Sequence, residues 1–171
     1  GKVEAIVMNA SGCGVTVKEY ARHLQHDPAY AERAAKISAL TRDLSELLPE
    51  LVPTLKARLN GKTPKLAFHP PCTLQHGQQL RGGVEGGLRE LGFDVQLATN
   101  ESHLCCGSAG TYSVLQPELS KHLRDRKLAN LLPLESQTIV SANIGCIQHL
   151  QSGTTLPVKH WVEVLDEALG A

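Results

Sequence analysis

The sequence has 171 residues, 42% of them hydrophobic, and its 17 basic and 17 acidic side chains give a formal net charge of zero. This length favours one compact domain with its own core, and the balanced charge argues against nucleic acid or an anionic lipid surface as partner. No apolar run reaches the roughly eighteen residues of a membrane-spanning helix, and no secretory signal is recognisable. We therefore expect a soluble, cytoplasmic protein.

Short β-branched or apolar runs alternate along the chain with longer stretches of helical periodicity. Strands are predicted at residues 3–8, 65–68, 93–97 and 138–141. Amphipathic helices are predicted from apolar side chains spaced three or four apart over residues 37–51, 119–132 and 161–168. Strands that alternate with helices of this length indicate crossover connections, so we expect an α/β fold with a mainly parallel sheet flanked by helices.

Two distant segments of the chain resemble each other. Residues 5–13 align with residues 137–146, allowing one residue of slippage, and both segments show a strand, a short polar turn, Gly-Cys and a helical stretch. This pattern predicts an internal repeat, with the end of a first cysteine-rich repeat and its helical connection over residues 1–61 and a complete repeat over residues 62–171. A half-repeat rarely buries its apolar face alone, so the truncated copy predicts further sequence upstream.

The five cysteines occupy positions that suggest ligation rather than disulfide bonding, and their odd number prevents complete internal pairing. Cys13, Cys72 and Cys146 each follow a predicted strand and open a helical stretch. Such positions lie at the carboxyl edge of a parallel sheet, where α/β folds build their sites, and a helix N-terminus favours the thiolate that binds metal. Cys105 and Cys106 are adjacent, in a turn of small residues that lets backbone amides approach a bound group.

The adjacent cysteines favour an iron–sulfur cluster over zinc. Zinc ligands are usually two to four residues apart, so that the side chains can surround one ion. A polynuclear cluster contains several irons, and neighbouring thiolates can bind different ones. The alternatives are a structural zinc-binding docking module and a thiol–disulfide redox domain, and a single free cysteine is often only a small buried hydrophobic residue.

The order Cys72, Cys105-Cys106-Gly107 and Cys146 resembles the cysteine-rich CCG domain of heterodisulfide reductase subunits, lactate-utilisation proteins and iron–sulfur subunits of glycolate oxidase. The runs most similar to the glycolate oxidase type are residues 9–14, 69–76, 102–112, 142–146 and 158–161. The resemblance spans nearly the whole chain, and its Cys-Cys-Gly element is highly specific.

This resemblance implies a non-catalytic electron-transfer component, inactive in isolation, in which Cys72, Cys105, Cys106 and Cys146 hold a cluster of the 4Fe–4S type. Flavin-containing glycolate oxidase subunits would be its partners, and electrons would pass from the flavin toward a quinone-type acceptor. The complex would associate peripherally with the inner face of the cell membrane. The chain contains nothing like the N-terminal ferredoxin-like region of such subunits. Cys13, as the counterpart of Cys146, is predicted to belong to a second site.

The sequence departs from the family where the repeat normally ends in Cys-x-x-Cys, because here the last position is His149. This residue follows Cys146 by three positions, so a helix would place both side chains on one face, and imidazole replaces thiolate in some iron–sulfur sites. His149 is therefore a candidate ligand. Three other histidines flank cysteines and are predicted to orient or hydrogen-bond the ligands instead: His69, His76 and His103.

Overall fold

Two parallel β-sheets organise the chain, whose residues 3–170 are described by a computed structural model. The smaller sheet pairs β1 (Ile6–Met8) with β2 (Thr41–Asp43). The larger sheet has the order β4–β3–β5–β6, and every pairing in it is parallel. Its strands are β3 (Lys65–His69), β4 (Asp94–Leu97), β5 (Thr138–Ser141) and β6 (Val158–His160). The predicted α/β class with a mainly parallel sheet is confirmed.

Helices occupy most of the segments between these strands. They are α1 (Ser11–Lys18), α2 (Tyr20–His23), α3 (Ala31–Leu40), α4 (Leu44–Arg58), α5 (Gly83–Glu90), α6 (Tyr112–Leu115), α7 (Pro117–Leu131), α8 (Ile144–Gln151) and α9 (Trp161–Leu169). A single π-helical turn covers Thr73–Gly77, and a short 3₁₀ turn covers Leu132–Leu134.

The larger sheet buries both of its faces, as its nearly continuous apolar strands require. On one face, Leu66 and Phe68 of β3 and Val140 of β5 pack in a cluster with apolar residues of α4, α5 and α9. On the other face, Ala67 of β3 and Ile139 of β5 pack with residues of α7 and α8. Alternate side chains of one strand point to opposite faces, so the sheet forms the middle of three layers.

The predicted helix over residues 37–51 is wrong in one respect, because strand β2 interrupts it. Asp43 ends that strand and caps α4, with its carboxylate accepting the Ser45 backbone N–H at 3.0 Å. In return the Glu46 carboxylate accepts the Asp43 backbone N–H at 2.7 Å, which completes a capping box. The strand predicted over residues 3–8 covers only Ile6–Met8. Strand β6 was not predicted.

One glycine of α5, Gly87, is explained by close packing. A Cβ atom at Gly87 would collide with the Leu48 side chain of α4, so only glycine allows the two helices to approach this closely.

The smaller sheet and the second half of the larger one share an order of elements. Each contains a strand, a helix that begins three residues after it, a parallel partner strand and a capped helix. These elements are β1, α1, β2 and α4 in the first half, which also contains α2 and α3, and β5, α8, β6 and α9 in the second. His160 begins α9 with a capping box to Glu163, in the place where Asp43 begins α4 with Glu46. This shared order of elements supports an internal repeat. The repeat and its boundary at residue 61 stay predictions.

The imidazole cap of α9 makes the fold sensitive to pH. The Nδ1 atom of His160 accepts the Val162 backbone N–H at 3.2 Å, so this nitrogen must be unprotonated. Burial lowers the pKa of His160 below its ordinary value, although the Asn9 backbone and the carboxylates of Glu163 and Asp43 act in the opposite direction. The unfolded chain therefore takes up this proton more readily than the folded chain does.

We predict that the neutral His160 cap contributes to the free energy of unfolding. This contribution is fully present above the ordinary histidine pKa of 6.5 and is lost as the pH falls toward the lower pKa of His160 in the folded chain. His160→Asn should remove this contribution, because asparagine caps a helix without titrating. Chemical denaturation at about pH 7.5 and about pH 5.5 measures the difference. Equal pH dependence in the variant and the wild type would contradict the assignment.

Candidate metal centre

Four of the five predicted cysteine ligands come together at the carboxyl edge of the larger sheet. The Sγ atoms of Cys72 and Cys105 are 3.9 Å apart. The Sγ atoms of Cys106 and Cys146 lie within 4.8 Å of each other, and both residues are buried. Because Cys105 and Cys106 are adjacent, the two pairs of sulfurs form one group.

The end of β3 positions Cys72. Pro70 and Pro71 follow the strand directly, and because proline lacks a backbone N–H it cannot continue the hydrogen-bonding pattern. Cys72 then begins the single π-helical turn Thr73–Gly77, an irregularity that is frequent at functional sites. The Oγ atoms of Thr73 and Ser11 are 2.8 Å apart, so the turn is attached to helix α1.

The loop with Cys105 and Cys106 is held at its far end by helix α7. The Ser120 hydroxyl of α7 donates to the Gly107 carbonyl at 2.8 Å, and the Gly107 N–H donates to the Cys105 sulfur at 3.3 Å. Gly107 has φ = +93°, and a Cβ atom there would collide with the Ser120 carbonyl. This position therefore requires the glycine of the Cys-Cys-Gly sequence.

A buried lysine of the same helix holds the near end of the loop. Lys127 is 2% exposed, and its ammonium donates to the carbonyls of Glu101 at 2.6 Å and Ser102 at 3.3 Å. The Glu101 carboxylate pairs with Arg126, also on α7. Burial lowers the pKa of Lys127, whereas negative charge on the cysteines and on Glu101 raises it. Lys127 is thus near enough to the cysteines for their charges to interact.

Close contact divides the four thiols into two electrostatic classes. The pKa of Cys105 is held far below its ordinary value by the neighbouring thiols of Cys106 and Cys72. The pKa of Cys146 falls to about 5, first because of Cys106 and then with help from His69, against the effect of burial. Those of Cys72 and Cys106 rise, first because of Cys105. Contact between the thiols thus favours the thiolate form at Cys105 and Cys146, and thiolate is the form that binds metal.

His69, which the sequence placed only in a supporting role, lies within this group. Its ring is fully buried, and neither ring nitrogen has a hydrogen-bond partner among residues 3–170. One ring nitrogen and the Sγ atoms of Cys106 and Cys146 all lie within 4.8 Å of one another. In the sequence, this role could have been inferred from the position of His69 at the end of a strand, three residues before Cys72.

His149, in contrast, makes hydrogen bonds away from the sulfurs. Its Nε2 lies 3.0 Å from the Ser120 hydroxyl and 3.2 Å from the Ser120 carbonyl. A carbonyl oxygen only accepts, and the hydroxyl hydrogen already goes to Gly107, so Nε2 must carry a hydrogen. That nitrogen cannot bind a metal in this state. His149 as a ligand stays a prediction, which this arrangement disfavours.

Cys13 is exposed and does not belong to the group of Cys106, Cys146 and His69. It is the third residue of α1, as Cys146 is the third residue of α8. One side chain connects the two helices: the Asn143 carbonyl accepts the Gly12 N–H at 3.0 Å, and its amide donates to the Cys146 sulfur at 3.7 Å. The role of Cys13 in a second site stays a prediction.

The sequence of this region matches a known family, the cysteine-rich CCG domain. The model of that family matches residues 66–151, from β3 to the end of α8, which is half of the chain, and the chain belongs to this family. Along 97% of its length it is 49% identical to the glycolate oxidase iron–sulfur subunit of Escherichia coli (strain K12), of which it covers 40%. It is 33% identical to the probable glycolate oxidase iron–sulfur subunit of Bacillus subtilis (strain 168), with 98% of this chain and 39% of the relative covered.

A further relative is lactate utilization protein A of Geobacillus thermodenitrificans (strain NG80-2), 28% identical over 94% of this chain and 69% of the relative. The chain thus spans about two fifths of the length of the two glycolate oxidase relatives. Within residues 3–170, no helix combines the length and the apolar character needed to cross a bilayer.

We predict that Lys127→Met lowers the free energy of unfolding by about 1–3 kcal/mol, because the carbonyls of Glu101 and Ser102 lose their donor. Lys121→Met is the matched control, since Lys121 lies on the same helix with a side chain 57% exposed, and should change stability by less than about 0.5 kcal/mol. Denaturant titration of both variants provides the comparison. Equal stability of Lys127→Met and the control would contradict the role of the ammonium.

Proposed function

We propose that Cys72, Cys105, Cys106 and Cys146 hold an iron–sulfur cluster of the 4Fe–4S type. The observation that supports this most directly is the grouping of four sulfurs, two of them from adjacent residues, at one end of a parallel sheet. Adjacent thiolates suit a group with several irons better than a single zinc ion.

The surrounding residues suit a negatively charged, sulfur-rich group. The Gly107 N–H and the Asn143 amide already donate to sulfur atoms, and the charge of Lys127 interacts with the cysteines. Hydrogen bonds to sulfur and nearby charge are the means by which a protein tunes the potential of a cluster. When bound, the cluster would supply one-electron transfer, while the protein holds its ligands and limits access of water.

We further propose that the chain is a non-catalytic electron-transfer component of a glycolate-oxidising flavoprotein complex. The names of two relatives support this role. Electrons would pass from the flavin of partner subunits, through a ferredoxin-like region outside this chain, toward a quinone-type acceptor. The complex would lie in the cytoplasm, associated with the inner face of the membrane. Alone, the chain would show no glycolate-dependent dye reduction.

The domain organisation that we propose has a complete cysteine-rich repeat over residues 62–171 and the end of another over residues 1–61. The matching order of elements in β1–α4 and β5–α9 supports it. Cys13, as the counterpart of Cys146, would then belong to a second site whose other ligands come from sequence beyond this chain.

The electron-transfer role predicts a separation of two half-reactions in the assembled complex. Cys105→Ser should abolish reduction of the acceptor while leaving reduction of the flavin by glycolate unchanged, because the variant removes a cluster ligand and no substrate contact. Stopped-flow absorbance at flavin wavelengths and a quinone-reduction assay follow the two steps separately. Loss of flavin reduction in a correctly assembled variant would instead indicate a catalytic role for this domain.

The two-site arrangement makes a prediction for the chain alone. Cys13→Ser should keep the same iron content after anaerobic loading as the wild type, because the Cys13 thiol lies outside the four-sulfur group, whereas Cys146→Ser should lose most of it. Iron analysis after gel filtration gives the result. Equal losses in both variants would mean that all five cysteines serve one site.

A further inference from the structure

We propose that His69 is itself a ligand of the cluster, bound through an imidazole nitrogen beside Cys106 and Cys146. This inference rests on the proposed iron–sulfur function and adds one nitrogen to its four sulfur ligands. It also replaces His149 as the candidate histidine.

The His69 ring is buried without a hydrogen-bond partner. It is 0% exposed, and neither nitrogen is hydrogen-bonded within the described part of the chain. Buried polar groups in proteins nearly always have a partner, and one without a partner calls for an explanation such as a bound ion. A metal bond to one ring nitrogen would provide that partner.

The distances between the candidate ligand atoms also favour a shared metal. One His69 ring nitrogen and the sulfurs of Cys106 and Cys146 all lie within 4.8 Å of one another. Two ligands of one metal ion, each at about 2.0–2.3 Å from it, are at most about 4.6 Å apart. The three atoms are therefore close to the spacing that one iron requires, and small side-chain rotations would complete it.

The sheet holds the backbone of His69 in place before any ligand binds. His69 is the last residue of β3 and is paired in register with Ser141 of β5. The Ser141 hydroxyl donates to the His69 carbonyl at 3.0 Å. The ring is consequently presented from two adjacent central strands, whereas the Nε2 atom of His149 is occupied by Ser120.

Charge favours a neutral ligand at this position. Cysteine binds metal as a thiolate, so the four proposed cysteine ligands already supply negative charge, and each further buried anion is costly unless it is paired. An imidazole adds a ligand without adding charge. Replacement of thiolate by histidine raises the potential of iron–sulfur centres, so His69→Cys should lower the reduction potential of the loaded protein.

The test uses the whole chain, loaded anaerobically with iron and sulfide after growth with ¹⁵N-labelled histidine. Pulsed electron paramagnetic resonance should detect the hyperfine coupling of a directly bound histidine nitrogen. The coupling should persist in His149→Gln and in His103→Gln, whose exposed side chain neighbours the same cysteine loop. It should disappear in His69→Cys, together with a fall in reduction potential.

The outcomes separate this inference from the function on which it rests. Iron uptake with a cluster signal but no histidine coupling in the labelled wild type would overturn the His69 assignment and leave the cluster intact. Coupling that survives in His69→Cys and vanishes in His149→Gln would also overturn it. A chain that takes up no iron would remove the proposed function itself. Should His69→Cys fail to fold, the assignment is still overturned if the labelled wild type shows no histidine coupling or if the coupling vanishes in His149→Gln.

Discussion

The structure depends on bringing four cysteine sulfur atoms together at one sheet edge. Their backbone segments come from the ends of β3 and β5 and from a long loop after β4. Helix α7 supplies the restraint, with Ser120 bonded to the far end of that loop and Lys127 to its near end. These two contacts fix the loop that carries Cys105, whose sulfur lies 3.9 Å from that of Cys72.

The same arrangement supports the proposed role in electron transfer. Two of its sulfurs are buried, and the hydrogen bonds around it are directed at sulfur rather than at open space. The buried ammonium of Lys127 offsets part of the negative charge of the cysteines. A site with less negative total charge favours the reduced state of an iron–sulfur centre. These features describe an environment that sets a potential, which is the task of the protein in such sites.

The sequence allowed much of the fold and the convergence of the cysteines to be predicted, because strand ends in a parallel sheet meet at one edge. It failed where short-range signals misled. The apolar spacing over residues 37–51 gave no sign that Asp43 would end a strand and cap a new helix. Helical spacing made His149 a candidate ligand, which stays a prediction, but it gave no sign of the hydrogen bond between its ring and Ser120, 29 residues earlier. Burial of His69 depends on tertiary packing, which flanking residues do not reveal.

Metal analysis of the anaerobically loaded chain tests the central claim most directly. The account predicts that iron and acid-labile sulfide bind together in fixed, similar amounts, with broad absorption in the visible region that bleaches on reduction. One zinc per chain, with no iron or sulfide taken up under the same conditions, would contradict it and indicate a structural zinc module instead.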